Sequence, residues 1–421
     1  MAVMDAAARS LRSLDLQESW RANAPSEIAR TISPDVELQM IGERDAFDAL
    51  EGEWNDLFAR SGRPTHVFQS FNFCWHWANH YLGPASSGLP GLRLSLVTGR
   101  RNGRLIMVWP LVSERVRGIT QTFWMGAPIS QYGDVLLDTE EADALPLMRA
   151  GLNFLRARTD SDLLRLRRVR SDANVAPLMP VIAAQAADRQ SAPYMDLTTA
   201  KDYAAFEQRY SGKTRKNRRR LARRLEEKGS VEFLRLRGGA KARALAIEAV
   251  KLKAAWLKNR GLLSNAIADE RTSALFADLA EGSEKPVACV VSALKANGKT
   301  AALEISFTCK GRLAMHLIAF NLDYEKAGAG VLLLEQSLRD GYAEGLAVYD
   351  MLAPGDPYKF DWCDRSDEVM DWVKPLSLKG QLYARVYLEF LRGRAKSLLK
   401  AVPQPLRRLL RAGYVRTASE A

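Results

Sequence analysis

Histidine and cysteine are scarce in this chain of 421 residues, four of each, and the scarcity removes whole classes of chemistry. The cysteines, Cys74, Cys289, Cys309 and Cys363, lie far apart and form no CxxC pair. That spacing argues against a zinc site and against a disulfide framework, and leaves them as core thiols. The histidines are His66, His76, His80 and His316. His76 and His80 share a helical face, but WHWANH has no glutamate of the HExxH kind and is crowded with aromatic rings, so it reads as packing, and no metal is expected. Neither a GxSxG elbow nor a GxGxxG after a strand occurs. Long hydrophobic runs are missing as well. The longest candidate, LIMVWPLV at 105–112, falls short of the ~20 residues a membrane span needs and reads as a buried strand. The N-terminal MAVMDAAARSLRSLDLQESW lacks an apolar core followed by a cleavage site, so a cytoplasmic protein is expected.

Acidic residues are outnumbered, 49 against 61 Lys and Arg, for a net charge of +12. The excess favours anionic partners, whether nucleic acid, an acidic membrane or a phosphate-bearing cofactor. A hydrophobic content of 47% with 26% charged residues is that of a well-packed protein. The length is that of two domains.

Residues 1–34 read as a poorly ordered leader. LRLSLVTGRRNGRLIMVWPLV at 92–112 reads as strand, Asn-Gly turn, strand. The arrangement recurs in VACVVSALKANGKTAALEISF at 287–307. Each hairpin is followed by a strand, a helix (141–157 and 331–344) and another strand (LLRLR and LAVYDML). The halves therefore read as two copies of one α/β plan. Residues 172–193 read as boundary material, which gives units of 35–190 and 191–376 and a basic tail at 377–421.

Two stretches in the second copy carry chemistry. NLDYEKAGAGVLLLEQSL runs from a strand through Gly328, Ala329 and Gly330 into an apolar-periodic helix beginning near Val331. Unpaired N–H groups at such a start, with glycines that admit close approach, make a pyrophosphate cradle, or else a plain tight turn. SGKTRKNRRRLARRLEEKG packs nine Lys and Arg between Lys213 and Lys228. It is no Walker motif, because Glu207 stands where the first glycine belongs; NGKT at 297–300 fails likewise at Ala293. Ser211 or Thr214 caps this helix, Leu221 and Leu225 form its one apolar stripe, and Gly229 closes it. Its cations, among them Lys213, Arg215, Arg218 and Arg219, either face an anion or simply face water.

The order of strands, glycine loop and helix resembles the acetyl-CoA-binding core of the GNAT acyltransferases, whose loop pattern falls here on Glu325, Gly328 and Gly330. Glu325 departs from the Gln or Arg of that pattern. With the basic helix, YDMLAPGDPYKFDW at 349–362, and in the first half WNDLF, HVFQSFNFCWHW, LIMVWPL and YGDVLLD, the chain resembles the CelD-type branch, acyltransferases associated with cellulose and exopolysaccharide synthesis and related to the FemABX aminoacyltransferases. The resemblance implies a tandem GNAT fold (α/β, α+β in detail, with two mixed sheets flanked by helices), acetyl-CoA or another acyl-CoA as donor, and an amine or hydroxyl acceptor such as an amino sugar of a polysaccharide precursor. It places cofactor contacts on Gly328, Ala329, Gly330, Val331, Lys213, Arg215, Arg218 and Arg219.

Acyl transfer needs a base for the nucleophile, an acid for the departing thiolate and stabilisation of the oxyanion. In such a fold Asp350 ends a strand beside the thioester and is the first candidate base; its alternative is a cap or turn residue. Tyr358 is suited to donate to the thiolate, and Lys359 to bind phosphate or pair with Asp350. Glu304 and His316, inside strands, are each either a base or a satisfied structural group. Two other functions remain open: a FemABX-like transferase using aminoacyl-tRNA, and a non-catalytic nucleic-acid binder. The tail is amphipathic, with Leu382, Val386 and Phe390 on one face, and either packs on its own domain or lies on an anionic membrane.

Overall fold

The computed structural model describes residues 35–83, 91–141, 143–262, 264–282 and 286–386. The expected leader at 1–34 and the tail beyond 386, with Phe390, lie outside them.

The first half contains β1 (Val36–Ile41), α1 (Glu51–Ser61), α2 (Phe71–Tyr81), β2 (Arg93–Leu94), β3 (Leu96–Arg101), β4 (Arg104–Trp109), β5 (Leu111–Val116), β6 (Ile119–Trp124), β7 (Leu136–Leu137), α3 (Ala144–Arg158), β8 (Leu163–Arg170) and β9 (Gln185–Asp196). The second contains α4 (Gly212–Glu226), β10 (Val231–Leu236), α5 (Gly239–Asn259), α6 (Glu270–Glu281), β11 (Ala288–Ala296), β12 (Lys299–Cys309), β13 (Arg312–Phe320), α7 (Ala329–Ala343), β14 (Val348–Asp350) and β15 (Arg365–Pro375).

Both expected hairpins form. Asn102 and Gly103 have φ of 51° and 79°, Asn297 and Gly298 of 50° and 72°, and the register closes at Arg101↔Arg104 and Ala296↔Lys299. Positive φ at both central residues is the type I′ turn that matches strand twist, and Asn-Gly tolerates it. The repeat holds further on, since each half has one parallel pair, β6 with β8 and β13 with β14.

Among the described residues two sheets form, as expected, but not one per half. A four-stranded sheet runs β1-β3-β4-β7, and an eleven-stranded sheet runs β10-β11-β12-β13-β14-β9-β15-β8-β6-β5-β2 through the whole molecule. Pro110 divides the expected strand at 105–112: β4 stays in the small sheet and β5 enters the large one. Proline has no N–H to give a ladder, which makes it a natural place for this change.

The halves exchange their last strands. β9 pairs with β14 of the second half, β15 pairs with β8 of the first, and β9 and β15 pair with each other from Tyr194↔Arg365 to Gln185↔Val373. This corrects the reading of 172–193 as boundary material and of 190/191 as a division. The polar composition of QAADRQSA, which suggests a linker, belongs to a strand whose side chains are mostly exposed while its backbone pairs with β15. The halves also share one core. Phe68 and Phe73 of the first meet Phe307 of the second at 6.0 and 5.9 Å between ring centroids, and His80 Nε2 lies 2.7 Å from Asp278.

The cysteines are thiols of this interior. Burial pushes Cys289 and Cys363 up to about 12 and Cys309 up to about 11.

Candidate active site

The site is built where the large sheet opens. β13 and β14 pair in parallel at Arg312↔Val348, Leu313↔Tyr349 and Ala314↔Asp350. There the pairing ends, although β13 continues to Phe320. The ladder between β12 and β13 shifts at Ile305/Ser306, so that Ile305 faces Leu317 and Ser306 faces Met315, leaving His316 as the extra residue of a bulge. A bulge breaks the ladder locally and re-aims a side chain, here beside the opening.

After β13 the chain makes a 3-10 turn, Leu322–Ala327, and reverses at Gly328, φ 68°, into α7. A Cβ on Gly328 would lie 2.7 Å from Leu221, so glycine is required there by both backbone and space. Leu221 and Leu225 of α4 pack on Tyr324, Ala327, Ala329 and Leu332. The apolar stripe of the basic helix thus rests on the glycine loop, and the two motifs become neighbours. Val331, at 36% exposure, lies at the open side of this helix start.

Ser211 caps α4, accepting from Thr214 N at 3.1 Å, and the helix ends at Glu226. Lys213 and Arg219 are exposed. Arg215 donates to the Gln208 amide oxygen. Arg218 departs from the expectation of a cation facing an anion: it is buried, its guanidinium 3.6 Å from the Trp362 ring centroid and 4.0 Å from that of Tyr210. Arginine stacks on aromatic faces through its weakly hydrated plane, which draws it inward here.

Glu325 is paired. Arg260, just beyond α5, donates to it at 2.8 Å and stacks on Trp256 at 4.6 Å, with Lys253 on the same ring at 4.7 Å. The carboxylate that departs from the family pattern is therefore matched by a guanidinium from another helix.

Asp350 is not the open, partly buried base expected. It is fully buried, accepts from Tyr132 OH at 3.0 Å and from Leu352 N at 2.8 Å, and is ion-paired with Arg312 at 2.7 Å. Tyr132 comes from the first half, so the contact crosses the seam. Lys359 neither pairs with Asp350 by a hydrogen bond nor faces solvent. Its Nζ donates to the carbonyls of Met351, Leu352 and Pro354 at 2.8, 3.0 and 2.8 Å. Burial pushes its ammonium down to about 8, with Asp356 and Asp350 opposing. Three carbonyl acceptors suit an ammonium, which has three N–H donors.

Glu304 is also closed off, accepting from Ser306 Oγ at 2.6 Å, Tyr349 OH at 2.7 Å and Ser337 Oγ at 3.0 Å. Tyr358 remains accessible. Its side chain is 43% exposed, yet enough protein surrounds the hydroxyl to push its pKa up, first through burial and then through Asp356, Cys363 and Glu304. It stays protonated, a hydrogen-bond donor rather than an acid.

His316 Nε2 is 2.8 Å from the Ile129 carbonyl and so carries the proton; Nδ1 is buried with no hydrogen-bond partner. Burial pushes the imidazole down to about 4, helped by Arg168 and Lys359 and opposed by the carbonyl. It is neutral at pH 7, with a lone pair on Nδ1. The unfolded chain binds this proton below the ordinary value of 6.5, and the folded protein refuses it down to about 4. Unfolding free energy should therefore rise with pH through that window, and His316→Gln should flatten the rise in pH-dependent urea denaturation. An unchanged acid slope would contradict neutral burial.

Sequence reasoning missed Tyr132, Arg312, Lys253 and Arg260. YGDVLLD contains Tyr132, but nothing local in it points to a carboxylate 218 residues away.

The family model described as "Acetyltransferase (GNAT) domain" matches residues 212–360. No curated protein matches the chain. Among solved structures, FemX is similar at 11% identity and a TM-score of 0.54, with 83% of this chain and 99% of that one covered. A tandem GNAT protein from the clavulanic acid biosynthesis pathway is similar at 14% identity, TM-score 0.46, covering 81% and 99%. A conserved protein of unknown function from Bacteroides thetaiotaomicron VPI-5482 is similar at 12%, TM-score 0.47, covering 80% and 100%. From the basic helix to the end of the Tyr358 turn the chain thus matches a GNAT acetyltransferase domain, set in an overall fold shared with FemX.

Proposed function

We propose that the protein is an acyl-CoA-dependent N-acyltransferase whose donor lies across the start of α7 and in the opening between β13 and β14. The observation that carries this reading is one juxtaposition. The parallel pair parts beyond Ala314/Asp350, the strand that continues leads into the glycine-started helix, and the basic helix packs on that start. Backbone N–H groups at residues 329 and 330 and the positive end of the helix favour a pyrophosphate, while the Val331 N–H is given to the Gly328 carbonyl at 2.9 Å. Exposed Lys213 and Arg219 extend the positive field.

At the reacting end, an amine attacks the thioester carbonyl, the C–S bond breaks and the thiolate leaves. The proton the attacking nitrogen loses ends on the departing sulfur, and the Tyr358 hydroxyl donates a hydrogen bond to that sulfur as charge develops on it. Among the candidate acids and bases, His316 Nδ1 is the acceptor whose lone pair is not already engaged, while Asp350 and Glu304 hold the surrounding structure. The acceptor we favour is an amino sugar of a polysaccharide precursor, on the CelD-type resemblance.

The test is thermal unfolding with and without acetyl-CoA, in wild type and Gly330→Trp. A Cβ at Gly330 already lies 3.2 Å from Phe320, so an indole there blocks the loop. Ligand at 100 times its dissociation constant should stabilise the wild type by about 2.7 kcal/mol and leave the variant unmoved. No shift with any acyl-CoA in wild type would overturn the proposal. The solvent-facing cations of α4 favour a second reading, an aminoacyl-tRNA donor, which predicts a shift with charged tRNA instead; RNA binding without turnover would leave only a nucleic-acid binder.

A further inference from the structure

The helix that follows β15, Leu378–Tyr383, is oriented against its own amphipathicity. Its inward face is small. A Cβ on Gly380 would lie 1.8 Å from the Asp162 carbonyl oxygen, and Ala384, one turn on, is 2% exposed. Asp162 pins the start, its carbonyl accepting from Leu376 N at 2.9 Å and its carboxylate from Ser377 Oγ at 2.6 Å. Ser377 Oγ in turn caps Gly380 N at 3.0 Å. Lys379 adds an ion pair to Asp162 at 3.5 Å and a hydrogen bond to the Gly118 carbonyl.

The outward face carries an apolar stripe beside exposed Lys379, Gln381 and Arg385. Leu378, Leu382 and Val386 recur at four-residue spacing and are 87%, 66% and 48% exposed. Exposed leucines aligned on one helical stripe mark a surface that another phase or partner covers. Tight backbone packing at Gly380 fixes the stripe outward, because turning it in would place side chains where the Asp162 carbonyl stands.

Charge selects the occupant. From 377 to the end at 421 the sequence holds ten Lys and Arg against Glu389 and Glu420, so eight of the twelve excess positive charges of the chain follow β15. Two copies meeting through this face would bring like charges together. A bilayer with anionic headgroups accepts the leucines and the cations at once. We propose that the face carrying Leu378, Leu382 and Val386 docks on an anionic lipid surface, holding the acyltransfer site at the membrane without a spanning segment. Among the described residues no helix is long and apolar enough to cross one.

The experiment is flotation of the full chain with phosphatidylcholine vesicles, alone or containing about a third phosphatidylglycerol, for wild type and Leu378→Glu/Leu382→Glu. Wild type should float with the anionic vesicles, more weakly at high salt. The double variant should partition about tenfold less or worse, with an unchanged melting temperature because both leucines are solvent-exposed. Equal flotation of the variant, or none of the wild type, would overturn the proposal. A concentration-dependent dimer abolished by the same substitutions would assign the face to a second copy instead.

Discussion

Asp350→Ala should cost about 3–5 kcal/mol of stability, among the largest effects of any single substitution in the second half. The carboxylate is fully buried and carries the charge that compensates Arg312, whose Nε is already buried without a partner. Removing it leaves a guanidinium in the interior, orphans the Leu352 N–H, and takes away the acceptor of Tyr132. Because Tyr132 belongs to the first half, the loss should spread across the seam. Asp350→Asn retains the shape and an acceptor for Leu352 but not the charge, so it should fall between wild type and the alanine variant. Urea denaturation followed by tryptophan fluorescence measures all three. A loss under about 1 kcal/mol for the alanine variant would show that the pair is not buried as described, since that is the scale of solvent-exposed pairs.

Lys359→Met should have the next largest effect, about 2–4 kcal/mol, because three carbonyls lose a charged donor at once. Leu352, one of the three, has φ of 58°, a conformation uncommon outside glycine. Lys359 at its carbonyl and Asp350 at its N–H hold it there from both sides. Methionine fills most of the volume but returns none of the hydrogen bonds, so the loop through 351–356 should loosen. Tyr358 shares the short helix Pro357–Phe360 with Lys359 and should lose its placement too. Denaturation and limited proteolysis report the two consequences separately. A variant as stable and as resistant to cleavage as wild type would contradict this role.

What was legible in the sequence is local chemistry. Asn102-Gly103 and Asn297-Gly298 announce hairpins because few other pairs accept positive φ twice, and their recurrence exposes the internal repeat. Gly328 announces the start of α7 for the same reason, and Ser211 the start of α4. The strand exchange was not legible, since β9 and β15 have mixed polar faces that would suit several neighbours, and only the assembled sheet chooses. The state of the candidate acids was equally hidden. Asp350 depends on Tyr132 and Arg312, Glu304 on Ser337 and Tyr349, and Arg218 on Tyr210 and Trp362; in each case at least one partner comes from a separate element. The place of Asp350 at the end of β14 suits a base, but partners remote in sequence decide whether a carboxylate has a lone pair left to use.

The most direct test of the donor site is amide hydrogen exchange with and without acetyl-CoA. Ligand across the start of α7 and in the opening of the sheet should slow exchange at residues 328–332 and 315–318 together, and Gly330→Trp should abolish both effects. Protection confined to α4, or to the first half, would contradict the account and place the anion elsewhere.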